Sequence, residues 1–483
     1  MSLFLNAIHA PEVVNEVLAH AGLAVSLPSV ATIVKSIRSD TTVKLKDLSD
    51  SDCNAEMYDN LEFGQLKPGE ATMTRQNNFE SITAGVFWKF QHCTADDFRY
   101  SRPLWETSPM NDDRPSGAIM KVAQYSDIKI SPASLKAVYD AMTWHILAAG
   151  VKELFPEYAG KLGRPKSSLN IPVVKMEQVP AKAMRHKVGT NDGNREVLEA
   201  MDLQSGFDKT RVNEFMHPVS GDLGVMERIV SVQRSRRIEE DAYERFQHVL
   251  VMPGLFHTKM AAADAWWRTD ISPEHLRSTP GSIYEYMKSL NPKEIQKMTN
   301  DPRFRMLHIG IEHILTASLL ECWRIQSGHA TLQEFQSTKP TFEALGFMAK
   351  QITARWPAMT VDRDADPRER DIRLENAALS VRDALYYRIL SDSMNYGEIG
   401  LVEDVIWHWI PIFKGTRKHK YAAHLTNFLY SLREVYPAPL ARAVRMNWVC
   451  NPRGHVDGHR GLDWYQELNN MYHKVSSSDC SCP

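Results

Sequence analysis

Residues 215–257 read FMHPVSGDLGVMERIVSVQRSRRIEEDAYERFQHVLVMPGLFH, and the order of elements within them decides the fold. The short apolar run FMHPVSGDL has the character of a strand ending in a Gly221-Asp222 turn. GVMERIVSVQRSRR follows with apolar residues at helical spacing, and FQHVLVMPGLFH reads as a second apolar strand. Strand, helix and strand in succession indicate an α/β core rather than a helical bundle. Asp222 then stands at the C-terminal edge of a strand, where open α/β sheets bind ligands. Asp is also a favoured helix N-cap, and the residues alone leave both readings open.

Toward the N-terminus, CNAEMYDNLEF (53–63) and ITAGVFWKF (82–90) read as neighbouring strands joined by a long, mobile polar loop. Asp59 sits at the centre of the first. A charge on a strand is costly unless it is paired, hydrogen-bonded or bound to metal, which makes Asp59 a candidate metal ligand. The competing reading is an Asp-Asn turn that ends the strand, and the frequency of such turns favours it. Residues 3–48 read as helices, and 91–130, with Pro103, Pro109 and Pro115, as loop. ASLKAVYDAMTWHILAAGVKELF (133–155) predicts a helix with Ser131 as N-cap and Pro132 in its first turn. LNIPVVKMEQV (169–179) reads as extended and GNREVLEAMDLQSGF (193–207) as helical.

Beyond residue 258 the pattern is almost wholly helical to about residue 440, interrupted by the charged connection VDRDADPRERDIRLE at 361–375. Within the first of these helices, AAADAWW reads as a packed segment with Asp264 at its edge. The segment FKGTRKHKYAAHL (413–425) gathers Lys414, Arg417, Lys418 and Lys420 at the mouth of a helix. It suits either phosphate contact or a solvated loop. The last helix, LDWYQELNNMYHKV (462–475), places Asp463 and Glu467 four residues apart on one face. They form either a solvated acidic stripe or part of a metal site. His257, at the junction of strand and helix, is an accessory catalytic or metal candidate, or a capping histidine.

Composition is ordinary for a globular protein: 483 residues, 43% hydrophobic and 24% charged. No stretch is apolar for the roughly 18 residues that a spanning helix needs. The N-terminal MSLFLNAIHAPEVVNEVLAH lacks a basic start and reads as an amphipathic helix rather than a signal peptide. The six cysteines are scattered, as expected of reduced thiols inside a cell, and no second pair complements Cys480 and Cys482 as a zinc site. A net charge of −2 argues against strong autonomous binding to duplex DNA, which depends on neutralising phosphates.

Taken in order, MYDNLEF, VSGDLGVMERI, PGLFHTKMAAADAWWR, FKGTRKHKYAAHLTNFL and GLDWYQELNNMYHKV resemble the landmarks of the fungal domain-of-unknown-function family 6589, over roughly residues 50–475. Their order also resembles that of DDE transposases with a ribonuclease-H-like core. The resemblance implies an α/β ribonuclease-H-like core interrupted by a large all-α insertion, in an overall α-rich α+β chain. Its divisions would be an N-terminal helical segment (1–48), the first part of the core (49–258), the insertion (259–445), a core helix with the third acid (446–475) and a flexible tail (476–483). It implies Asp59 on the first strand, Asp222 after the fourth and Glu467 on a late helix as catalytic, metal-binding acids. The cofactor would be Mg²⁺ or Mn²⁺, His257 and Asp463 would be accessory, and the substrate would be DNA cleaved or joined in the nucleus. The sequence departs from the pattern at Gly224 and Val225, where relatives often carry Thr, and at Leu255, where many carry an acid. Those departures fit the alternative of a catalytically inactive, domesticated transposase fold that binds nucleic acid or protein. Oligomerisation would run through the helical insertion, and no membrane is involved.

Overall fold

The computed structural model describes residues 2–7, 10–51, 53–64, 79–113, 129–271, 273–278, 281–360, 364–366, 368 and 370–478. The loop expected between the first two strands (65–78), Pro115, parts of the 361–375 connection and the tail with Cys480 and Cys482 lie outside the described residues.

Helices dominate, and the strands form a small mixed sheet and a two-stranded pair. The helices are α1 (Ser2–Ala7), α2 (Glu12–His20), α3 (Leu27–Asp50), α4 (Ser101–Thr107), α5 (Pro132–Leu154), α6 (Asn191–Ser205), α7 (Leu223–Ser235), α8 (Leu255–Asp270) and α9 (Ile283–Leu290). The series continues with α10 (Ile295–Asn300), α11 (Phe304–Ser327), α12 (Leu332–Ser337), α13 (Phe342–Arg355), α14 (Ile372–Asn395), α15 (Ile399–Gly415), α16 (His419–Tyr430), α17 (Ala438–Met446) and α18 (Leu462–Ser478). The strands are β1 (Asn54–Gly64), β2 (Phe79–Lys89), β3 (Gln178–Pro180), β4 (His217–Gly221), β5 (Val249–Pro253), β6 (Val449–Cys450) and β7 (Arg460–Gly461). Among the described residues no helix is long and apolar enough to cross a membrane.

The chain forms two compact units. The first comprises Met1–Val122, Val173–His257 and Ser431–Pro483. Its main sheet has the order β3-β2-β1-β4-β5. β2 runs antiparallel to both β1 and β3, while β1, β4 and β5 run parallel. Alternation along the strands gives the two faces different tasks. Tyr58, Phe87 and Val219 point into an apolar cluster with Val197 and Met201 of α6 and Val225 and Ile229 of α7. Asp59 and Ser220 therefore face the other way, toward α18, which packs on β1, β2 and β4.

β1 is the central strand, and Asp59 lies in its middle, opposite Ala84 of β2. The Asp-Asn turn expected there does not occur, because the β1–β2 ladder runs unbroken through Asp59 and Asn60. The segment 169–179, read as extended, contains no helix and leads into β3, which pairs with β2. The expected 91–130 loop contains a short 3₁₀ turn at Ala95–Phe98 and α4.

The second unit comprises Ala123–Pro172 and Thr258–Tyr430 and is helical. α5 begins as its sequence predicts, with the Ser131 hydroxyl accepting a hydrogen bond from Ser134 N at 3.1 Å. It clusters with the helical unit rather than with the sheet. Its Gly150 lies so close to Trp323 of α11 that an added Cβ would stand 2.6 Å from the indole, whose Nε1 donates to Ile146 O at 3.1 Å. The AAADAWW segment is a packed helix: Trp266 and Trp267 are buried, and donate to Ser380 O and Met298 O.

Candidate active site

The first unit brings the predicted acids to one place. β1 and β4 are parallel neighbours, with Glu56 beside Val219 and Met57 beside Ser220. Carrying that register forward two residues sets Asp59 beside Asp222, on strands spaced about 4.8 Å apart. Asp222 serves as the N-cap of α7, its Oδ1 accepting from Val225 N at 2.8 Å. The capping reading is therefore realised, and it leaves the carboxylate at the strand edge.

α18 delivers the remaining groups. Its buried face is polar: Asp463, Gln466 and Asn470 are all within 2% of complete burial. Asp463 is thus no part of a solvated stripe. Its carboxylate caps the start of α8, accepting from Phe256 N at 2.9 Å and His257 N at 2.8 Å, where the helix has N–H groups without partners of their own. Two glycines make the room. A Cβ on Gly254 would stand 2.3 Å from Asp463 Oδ2, and one on Gly461 2.6 Å from Oδ1.

Asp463 also fixes His257, whose Nδ1 lies 3.0 Å from Oδ2, leaving Nε2 3.5 Å from Glu467 Oε1. Burial alone would depress the imidazolium. The hydrogen bonds with Asp463 and Glu467, aided by the charge of Asp222, outweigh that and push its pKa up to about 10. The partly buried His257 ring is thus held toward its protonated form by the acids around it.

Asp59 completes the cluster. Its Oδ1 accepts from Asn60 N at 2.8 Å and its Oδ2 from Asn470 Nδ2 at 2.9 Å. Gln466 donates to Asn470 Oδ1 at 3.1 Å and to Ala84 O at 3.4 Å, so two buried amides tie α18 to β1 and β2. Burial, then repulsion from Glu467 and from Asp222, push the Asp59 carboxyl up to about 7, against the opposing pull of His257. Gln466 and Asn470 were not marked by sequence reasoning. The signal was their spacing: residues 463, 466 and 470 fall on one helical face.

Carboxylate oxygens are the donors that Mg²⁺ and Mn²⁺ prefer, so the chemistry of the set fits such an ion. Its present arrangement is not closed around one. Among the described residues no group of three or more His, Cys, Asp or Glu is spaced to hold a metal ion. Each acid has an internal partner instead: Asn470 for Asp59, the α7 N-terminus for Asp222 and His257 for Glu467.

The predicted basic segment lies in the other unit, between α15 and α16. Lys414, Arg417 and Lys420 are exposed. Lys418 is ion-paired with Asp264, which Arg268 also holds at 2.7 Å.

No curated protein and no solved structure matches the chain. A family model described as a family of unknown function, DUF6589, matches residues 120–479. That span takes in Asp222, His257, Asp463 and Glu467, while Asp59 precedes it. With most of its length matched, the chain belongs to the DUF6589 family.

Proposed function

We propose that the chain is a transposase-derived protein with a ribonuclease-H-like core, whose acids Asp59, Asp222 and Glu467 bind Mg²⁺ or Mn²⁺ for cleavage or strand transfer of DNA. The observation that carries this reading is the convergence of Asp59, Asp222 and Glu467 from far-separated stretches of the chain. The acids come from the middle of β1, the end of β4 and α18, and Glu467 and Asp222 add to burial in pushing the Asp59 carboxyl up to about 7. Like charges gathered this way are relieved by a cation. The order of the acids supports the same reading, since the first strand, the fourth strand and a late helix are the places implied by the resemblance to transposases.

A bound divalent ion would polarise the scissile phosphate and activate the attacking oxygen. The chain's own residues do the rest. Asp59, Asp222 and Glu467 would hold the ion through their carboxylate oxygens. Asp463 holds the His257 ring through Nδ1, so that Nε2 keeps a proton next to Glu467. Asn470 and Gln466 fix α18 against the sheet. DNA is the proposed partner, with exposed Lys414 and Arg417 placed to contact phosphates.

The second reading is a domesticated fold that binds without catalysis, and the internal partners of all three acids favour it. Labelled DNA incubated with the protein in Mg²⁺ or Mn²⁺, with EDTA as control, separates the two. Metal-dependent cleavage that falls roughly a hundredfold or more in Asp222→Asn, the usual scale for a group acting on the reacting atoms, supports the first. Cleavage by neither protein, or equally by both, leaves the second.

A further inference from the structure

Two cysteines meet at the neck of the β1–β2 hairpin, away from the acids. Cys53 precedes β1 and Cys93 follows β2, where Phe90 N donates to Cys53 O at 2.8 Å and closes the ladder. Beyond Phe90 the chain turns back sharply. His92 adopts a left-handed backbone, with φ of 60°, which a residue with a Cβ enters only when its surroundings hold it there. The surroundings are visible. The buried Asn447 side chain accepts from Gln91 N at 2.7 Å, donates to Gln91 O at 2.9 Å and reaches Cys93 Sγ at 3.7 Å, while Arg442 donates to His92 O at 3.2 Å. The clamp holds Cys93 at the end of the ladder beside Cys53, near enough for each to feel the other's charge. Both side chains are partly exposed.

We propose that Cys53 and Cys93 form an oxidisable dithiol, a modification site at which a peroxide produces a disulfide across the neck of the hairpin. The interaction with Cys53, then burial, pushes the Cys93 thiol well above its ordinary range, and the first attack is assigned to Cys53. The Cys53 sulfur attacks one peroxide oxygen. An S–O bond forms, the O–O bond breaks and water leaves, giving a sulfenic acid. Cys93 sulfur then attacks Cys53 sulfur. The S–S bond forms, the S–O bond breaks, and the departing oxygen takes the Cys93 proton as a second water. The two thiols lose two electrons in all, and hydrogen peroxide accepts them. The Asn447 and Arg442 contacts hold residues 91–93 in place at the end of the ladder that Cys53 opens.

The test uses the full-length protein, reduced, desalted and treated with a slight excess of hydrogen peroxide. Remaining thiols are blocked with N-ethylmaleimide, and the unreduced tryptic peptides are analysed by mass spectrometry. The expected result is a Cys53–Cys93 cross-linked peptide, reversed by dithiothreitol, while fully buried Cys450 stays reduced. Cross-linking of either cysteine to Cys480 or Cys482 instead, or oxidation of both to separate sulfinic acids, overturns the proposal. In Cys93→Ser, Cys53 should persist as a sulfenic acid captured by dimedone. In Cys53→Ser, Cys93 should remain unmodified, and its equal capture by dimedone would overturn the assigned order.

Discussion

Asp222 does two jobs that a substitution can pull apart. As the α7 N-cap it needs only a side-chain oxygen, whereas as a member of the acid cluster it needs a charge. Asp222→Asn should therefore fold with stability near that of the parent, while Asp222→Ala should lose about 1 kcal/mol in urea denaturation. Both should lose any metal-dependent cleavage. Equal destabilisation of the two would show that the charge, and not the cap, matters for folding. Another acid, half-buried Asp270, offers a pH test in the helical unit. Burial, then repulsion from Asp383, push Asp270 up to about 8, against the pull of Ser380 and Arg382. An unfolded Asp titrates near 3.9, so the folded state binds this proton more tightly. That contribution is fully present below about pH 3.9 and is lost as pH rises through 8. Between pH 6 and pH 9 the parent should therefore lose several degrees of melting temperature more than Asp270→Asn does. Calorimetry at the two pH values checks this, and matching losses would contradict it.

At the scale of elements, close packing sets the sharpest constraint. In a helix, Gly→Ala ordinarily gains about 1 kcal/mol of propensity. At Gly150 of α5 the new methyl would meet a fixed indole, and overpacking costs about 1–3 kcal/mol. Gly150→Ala should consequently be neutral to destabilising, by up to about 2 kcal/mol in chemical denaturation. A gain in stability would show that Trp323 can move. Elements were the most legible part of the sequence. β1, β2, α5, α6, β4, α7 and β5 all follow from local periodicity and capping residues, as Ser131 and Asp222 illustrate. What could not be read was long-range. Three-residue β3 has too little pattern of its own and is a strand only because β2 offers it an edge. The interior of Asp59 within β1, against the Asp-Asn turn habit, depends on Asn470 and on the pairing with β2. Asp463 and Glu467 look alike in sequence, yet Asp463 is buried because Gly254 and Gly461, far apart in the chain, leave a carboxylate-sized gap.

At the scale of the molecule, each unit is assembled from separated stretches. Residues 123–172 belong with 258–430, and α5 packs within that unit against α11, α13, α14 and α15. A fragment of 258–430 alone should lack a cooperative thermal transition by circular dichroism. The same fragment with 123–172 joined to its start by a Gly-Ser linker should show one. Cooperative melting of the shorter piece would mean that α5 is dispensable to the unit. The sheet unit is divided further still, and its last piece carries half of the acid cluster. Asp59 and its partner Asn470 are separated by 411 positions. A ribosome adding about 5–20 residues per second needs roughly 20–80 s to cover that distance. Throughout that interval β1 waits with an uncompensated carboxylate, and the helical unit is released whole before the sheet can close. Synthesis itself thus imposes a delay: the acid cluster cannot assemble until α18 has left the ribosome.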